Sequence, residues 1–289
     1  MSNDRNPQAQ QMGDESMVRN LAYQADAIWP QERMLFDRYG LSGAVRILDL
    51  GCGTGEITRR LADRYPQATL LGIDILDSNL AFARRDSAAY GDRIHYRQGD
   101  AFALDSADEE FDLVVCRHMS QAVPNFAQVL AEITRVLTGG GWLHLLSEDY
   151  GMLHMPAHAR DPDRFWNENA IAFLHRIGCD GRIGRHSPPL LEAAGYRDIA
   201  MDYITVDTLR VTRPTFAGIL KAWRDGYSTS LAQASGRSVE EVIADFDTMI
   251  EAIETPPAYA VWHVPVVSGR SQGRSCASGR ATSALLRGP

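Results

Sequence analysis

The sequence predicts an α/β fold with a mostly parallel sheet and helical cap elements. Three observations carry this reading. Short apolar runs alternate with helical patterns between residues 45 and 148, a glycine-rich turn joins the first run to the first helix, and amphipathic helices flank this regular stretch.

The first strand is RILDL, residues 46–50, and a helix follows from about Glu56 to Arg64. TLLGIDI then reads as a strand, residues from about Ser78 to Tyr90 as a helix, and IHYRQGD as a third strand. FDLVVCR, residues 111–117, is the fourth. The next helix carries Phe126, Val129, Leu130, Ile133, Val136 and Leu137 on one face. TGGG, residues 138–141, is expected to end it, and WLHLLSED to supply a fifth strand. In SPPLLEAAGY, an N-cap at Ser187, a first-turn proline at Pro188 and a stop at Gly195 predict a short helix. It feeds the alternating strand MDYITVDT. Residues 214–233 and 238–254 read as two amphipathic helices, and YAVWHVPVV as the last strand.

These elements divide the chain into an N-terminal helical cap over 1–44, whose helical pattern runs from about Met17 to Tyr39, and a core over 45–149. A cap insertion follows over 150–186. Residues 187–268 complete the core, with a helical cap insertion near 214–254. The segment 269–289 has no carboxylate and only Leu285 and Leu286 as bulky apolar residues, so it is expected to be a disordered tail.

Composition narrows the function. With 289 residues and 45% hydrophobic content the chain can bury a sizeable core. A formal charge of -8 without a broad basic face argues against a nucleic-acid partner and for a small substrate. Cys52, Cys116, Cys179 and Cys276 form no CxxC pair, so neither a disulfide framework nor a metal site is expected. A polar, acidic start and no run near the roughly 18 apolar residues of a membrane span predict a cytoplasmic protein away from membranes. Monomer and homodimer both stay open.

RILDLGCGTGEITRRL, residues 46–61, poses a choice among nucleotide-binding loops. A phosphate-cradling loop needs GxxxxGK[ST], and no lysine lies nearby. A dinucleotide loop needs GxGxxG, but Glu56 stands at the third glycine position, an anion where a pyrophosphate would bind. The pattern suits a ligand with an ammonium and a sulfonium: Asp49 and Glu56 flank the bare glycines Gly51 and Gly53, and Asp74 ends the next strand, where a carboxylate can accept both ribose hydroxyls.

Residues 46–149 resemble the catalytic core of the class I S-adenosylmethionine-dependent methyltransferases, in their small-molecule branch. LDLGCGTG is similar to the first motif of that family, GIDI to its acidic second, GDAFAL to its adenine-contacting third, and FDLVVCRHMSQAVPN with ITRVLTGGGWL to its fourth strand, helix and glycine turn. The resemblance implies a Rossmann-like sheet and S-adenosyl-L-methionine as cofactor. It implies that Gly51 and Gly53 pack on the methionine moiety, Asp74 holds the ribose with Ile75 beside it, Asp100 bonds the adenine amino group, Ala101 offers a backbone contact, and Arg117 and His118 border the cofactor. RNLAYQ is also similar to an RLxxQ element of one branch, in which Arg19 and Gln24 would close on the cofactor carboxylate. Singly, Asp49, Asp74 and Asp100 also fit plain caps or turns; together at successive strand ends they favour a cofactor site.

Methyl transfer from a sulfonium is an in-line displacement that requires alignment, exclusion of water and sometimes proton removal. His118 and Glu148 are the catalytic candidates, with Asp149 and Tyr150 nearby and His154, His158, His175 and His186 in the lid segments. His144, inside the fifth strand, reads as structural. Where the branch carries a QH pair this sequence has Gln121 and Ala122, so a base is missing at that position. The D/N-P-P-Y type motif for exocyclic base nitrogens is absent. Trp166, Phe173, Trp223 and Tyr227 are candidates for an apolar substrate wall. The expected function is methyl transfer to an O or N atom of a small metabolite or natural product. A non-catalytic cofactor-binding sensor and an NAD(P)-dependent oxidoreductase are the alternatives.

Overall fold

A computed structural model describes residues 5–156 and 160–272. An eight-stranded sheet runs in the order β3-β2-β1-β4-β5-β8-β6, with β7 paired to β8. Strands β1 (Arg46–Leu50), β2 (Thr69–Asp74), β3 (Ile94–Gln98), β4 (Phe111–Arg117) and β5 (Leu137–Leu146) pair in parallel. β8 (Val261–Arg270) is antiparallel to β5, to the two-residue β6 (Leu153–His154) and to β7 (Arg197–Asp207). This is a mostly parallel, Rossmann-like sheet. Its strands read as near-continuous apolar runs because helices cover both faces. Ile47, Leu48, Leu113, Val114, Val115, Leu143 and Leu145 have no accessible surface.

Helices α3 (Glu56–Arg64), α4 (Asp77–Asp86) and α5 (Phe126–Val136) pack on this half. On α5, Phe126, Val129, Leu130, Ile133 and Val136 are buried, as their spacing requires. The cap combines a first turn α1 (Ala9–Met12), α2 (Glu15–Glu32), a segment of α6 (Pro162–Phe165), π-helical Trp166–Ile171 and α7 (Ala172–Arg176), and the long pair α9 (Arg213–Ser235) and α10 (Val239–Glu254). Phe165, Trp166, Phe216, Trp223, Phe246 and Trp262 form its core. Asp14 caps α2, and Ser238 with Glu241 forms a reciprocal capping box on α10. No helix among the described residues is long and apolar enough to cross a membrane.

Several expectations are corrected. The N-terminal helix stops at Glu32, and Leu35–Tyr39 is a 3-10 turn closed by Gly40 at φ 60°. The second expected helix ends at Asp86, after which Ala88–Arg93 is a 3-10 segment. TGGG belongs to β5: Leu137 already pairs with Phe111, and Gly140 at φ 88° absorbs the irregularity. β5 ends at Leu146, and of the three residues that follow only Glu148 reaches the cavity wall. Ser187 is no N-cap. Helix α8 (Ile183–Ala193) begins four residues earlier, where Asp180 Oδ1 accepts from the Arg182 amide at 2.8 Å, and the Ser187 hydroxyl donates to the Ile183 carbonyl inside it. The tail begins later than expected, because Gly269 and Arg270 lie in β8, where a Cβ on Gly269 would sit tightly against Leu191 and Tyr196 at 3.1 and 3.2 Å. The rest of the expected tail, from residue 273, lies outside the described residues.

Candidate functional site

A cavity of about 1040 Å³, mouth included, opens at the C-terminal ends of the parallel strands, where open α/β sheets bind ligands. Gly51 and Gly53 form its floor with φ of 75° and 52°. A Cβ at Gly51 would meet Met119 Sδ at 3.2 Å. The loop is tied down from the second strand: Asp74 Oδ2 accepts from the Gly53 amide at 2.8 Å and Oδ1 from the Leu76 amide at 2.9 Å. Burial raises the pKa of Asp74 even against these hydrogen bonds.

The cavity brings together Gln24, Gly51, Gly53, Asp74, Ile75, Ala101, Arg117, His118 and Glu148 from the expected set. It does not bring Arg19, whose side chain is 41% exposed and paired to Glu15 and Asp225 on the outer face of α2. The reason is periodicity: Met17, Asn20, Leu21 and Gln24 share the inward face, and Arg19 lies off it. Asn20, unassigned by sequence reading, takes the place on the wall, and this spacing would have found it. Asp49 sits beneath the loop, with Thr58 Oγ1 donating to its Oδ2 at 2.6 Å; burial pushes its pKa up to about 6. Asp100 is not on the wall, and its Oδ1 accepts from the Phe102 amide at 3.0 Å, the cap-like role that competed with adenine contact. Glu56 is paired to Arg59 at 2.7 Å.

At the rim, His118 stands at φ 50° just after β4, and its Nδ1 lies 2.7 Å from Glu148 Oε1. Glu148 is 1% exposed, and its carbonyl is held by the Gly184 amide at 2.9 Å. A Cβ at Gly184 would come within 3.0 Å of that carbonyl, so this glycine permits the close approach of α8. Burial places the Tyr150 phenol well above its ordinary pKa, with the Glu148 charge adding to it. Asp149, by contrast, is turned from the cavity and bound by Arg185. His154, His175 and His186 are exposed and off the wall, and His158 lies outside the described residues.

Arg117 is held from below. Its Nε donates to the fully buried Glu32 Oε1 at 2.7 Å; His144 Nε2 lies 3.0 Å from the same oxygen, and Tyr39 hydroxyl 2.7 Å from His144 Nδ1. Burial alone would raise the Glu32 pKa. The Arg117 charge and the His144 contact outweigh it and hold the carboxyl at about 2.

Five buried polar atoms on the cavity wall have no hydrogen-bond partner: Asn20 Oδ1, Arg117 Nη2, His118 Nε2, Gln121 Oε1 and Glu148 Oε2. Leaving such groups unmet is costly, so they mark where a polar ligand belongs. One donor suited to a carboxylate, acceptors suited to an ammonium, and Asp74 for a diol match S-adenosylmethionine.

The fold and this cavity have the form of a class I S-adenosylmethionine-dependent methyltransferase core. Residues 47–141 match the family model described as "Methyltransferase domain". Among relatives, the chain is 39% identical over 101 residues to a demethylmenaquinone methyltransferase of Deinococcus radiodurans, covering 35% of this chain and 42% of that protein. It is 31% identical over 171 residues to the trans-aconitate 2-methyltransferase of the same organism, covering 58% and 61%. The chain thus spans about half the length of the curated relatives it matches. A solved structure of Haemonchus contortus phosphoethanolamine N-methyltransferase 2 with S-adenosyl-L-methionine superposes with a TM-score of 0.61 at 15% identity, covering 94% of this chain and 60% of that one, a likeness of fold.

Proposed function

We propose that this protein transfers a methyl group from S-adenosylmethionine to an O or N atom of a small molecule, with His118 as general base. The observation that carries the reading is the His118–Glu148 pair opening on the same cavity as the glycine loop and Asp74. The relatives' names support small-molecule acceptors, demethylmenaquinone and trans-aconitate among them.

When bound, S-adenosylmethionine supplies a sulfonium-activated methyl group: the acceptor lone pair forms the new bond to carbon as the carbon–sulfur pair is left on sulfur. Gly51, Gly53 and Arg117 would hold its amino-acid end, Asp74 its ribose and Ala101 the edge of its base. Glu148 accepts from His118 Nδ1, which leaves Nε2 to take the acceptor's proton, and the carboxylate then balances the imidazolium. This supplies the base that Ala122 does not. The cap residues Asn20, Leu21, Trp223 and Tyr227 line the cavity and would shield a bound cofactor from water.

Calorimetric binding of S-adenosylhomocysteine followed by transfer of labelled methyl across a metabolite panel tests the reading. No binding by the folded protein sinks it, and binding without any turnover turns it toward a sensor. With an acceptor in hand, His118→Ala should lower turnover by roughly 10²-fold or more while S-adenosylhomocysteine affinity stays nearly constant. An unaltered rate would remove His118 from the mechanism.

A further inference from the structure

Beside the cofactor cavity lies a second compartment of about 360 Å³, mouth included, and Gln8, Tyr150, Trp223 and Tyr227 line both. Trp166, Phe173 and Phe246 complete its aromatic wall. Tyr150 stacks on Trp166 with ring centroids 5.8 Å apart, and Trp166 meets Trp223 edge-on at 5.7 Å. None of the ten lining residues carries a charge. Burial pushes the phenols of Tyr150 and Tyr227 upward, so neither supplies an anion near neutral pH. Trp166 is 2% exposed, and its Nε1 is a buried donor without a partner.

These features select by chemistry. A carboxylate or phosphate placed here would lose hydration and meet no cation. A flat neutral ring would bury its faces against the aromatic wall, and a carbonyl or ether oxygen on it would satisfy the indole N–H. We infer that this compartment is the acceptor subsite, and that it takes a neutral ring system whose far oxygen accepts from Trp166 Nε1 while its hydroxyl reaches back to His118. The inference rests on the methyl-transfer reading for the hydroxyl's fate, but the subsite itself is tested by binding alone.

The full chain, saturated with S-adenosylhomocysteine, is titrated calorimetrically with a hydroxytetralone, a hydroxynaphthoate, a tetrahydronaphthol without the carbonyl, and a naphthylmethyl-trimethylammonium. The hydroxytetralone should bind, and the naphthoate at least about tenfold more weakly. Trp166→Phe should weaken the hydroxytetralone by about tenfold more than the tetrahydronaphthol, because both probes lose ring contact and only the ketone also loses a hydrogen bond. Ala170→Phe, which fills the compartment, should abolish binding of both while S-adenosylhomocysteine still binds. Tighter binding of the naphthoate or of the ammonium, which aromatic faces can also hold, overturns the inference. So does equal weakening of both neutral probes by Trp166→Phe, or binding of none of them beside bound S-adenosylhomocysteine. If the neutral probes bind as expected and S-adenosylhomocysteine does not, the methyl-transfer reading falls and the subsite stands.

Discussion

Replacing Glu32 by glutamine should destabilise the fold by about 3 kcal/mol at neutral pH, and the loss should shrink as the solution is acidified. Glu32 and the Arg117 side chain are 0% and 8% exposed, so the substitution leaves the guanidinium charge buried and uncompensated. Breaking such a pair costs about 3–5 kcal/mol. The depressed pKa of the carboxyl leads to a concordant figure. The carboxyl sits at about 2 rather than its usual 4.5, a difference worth roughly 3 kcal/mol at 1.36 kcal/mol per unit. Because the folded-state value is depressed, this stability is fully present above pH 4.5 and is lost as pH falls toward 2. Urea unfolding of wild type and Glu32→Gln at pH 7, 5 and 3, followed by tryptophan fluorescence, reads the effect directly. The gap between the two proteins should be widest at pH 7 and 5 and narrower at pH 3. A cost below about 1 kcal/mol at pH 7, or a gap that does not change with pH, would refute the account of Glu32 as an ionised partner of Arg117.

Two further outcomes follow from the cofactor half. Asp74→Ala removes both a diol acceptor and the anchor of the Gly53 amide, so S-adenosylhomocysteine should bind about 10- to 100-fold more weakly in calorimetry; unchanged affinity in a folded variant would cancel the ribose assignment. Asn20→Ala should weaken the same ligand by several-fold on the scale of one hydrogen bond, whereas Arg19→Ala, on the outer face, should leave affinity unchanged. The reverse order would restore the role that Arg19 had from its motif.

The sheet was legible because buried parallel strands and amphipathic helices write their burial directly into residue order; Ile47, Leu48, Val114 and Val115 are apolar because both faces are covered. The glycine loop was legible for a related reason, since its backbone conformation requires glycine at Gly51 and Gly53. What sequence order hid were contacts between distant segments. Glu32 meets Arg117 across 85 positions and His144 across 112, and nothing local to any of the three announces the others. Arg19 lies off the cavity because a short motif matches letters and not helical phase. Ser187 misled because serine followed by proline also occurs within a helix that starts upstream, here at Ile183, where the Ser187 hydroxyl donates to the Ile183 carbonyl. The pairing of His118 with Glu148 depends on β4 and β5 lying side by side, so two individually ordinary residues became a dyad only in the folded sheet.

The distribution of the two compartments along the chain has its own consequence. The floor under the methyl donor comes from one continuous stretch, residues 50–123 with Glu148, whereas the aromatic wall is assembled from Gln8, from Tyr150 through Leu174, and from Trp223 through Phe246. Alignment follows contiguous text, and the family match accordingly ends at residue 141. On the proposed reading, recognition of donor and acceptor is therefore written in different parts of the chain: a substitution at Trp166, Ala170 or Phe173 alters the aromatic wall and leaves the contiguous floor of the glycine loop in place.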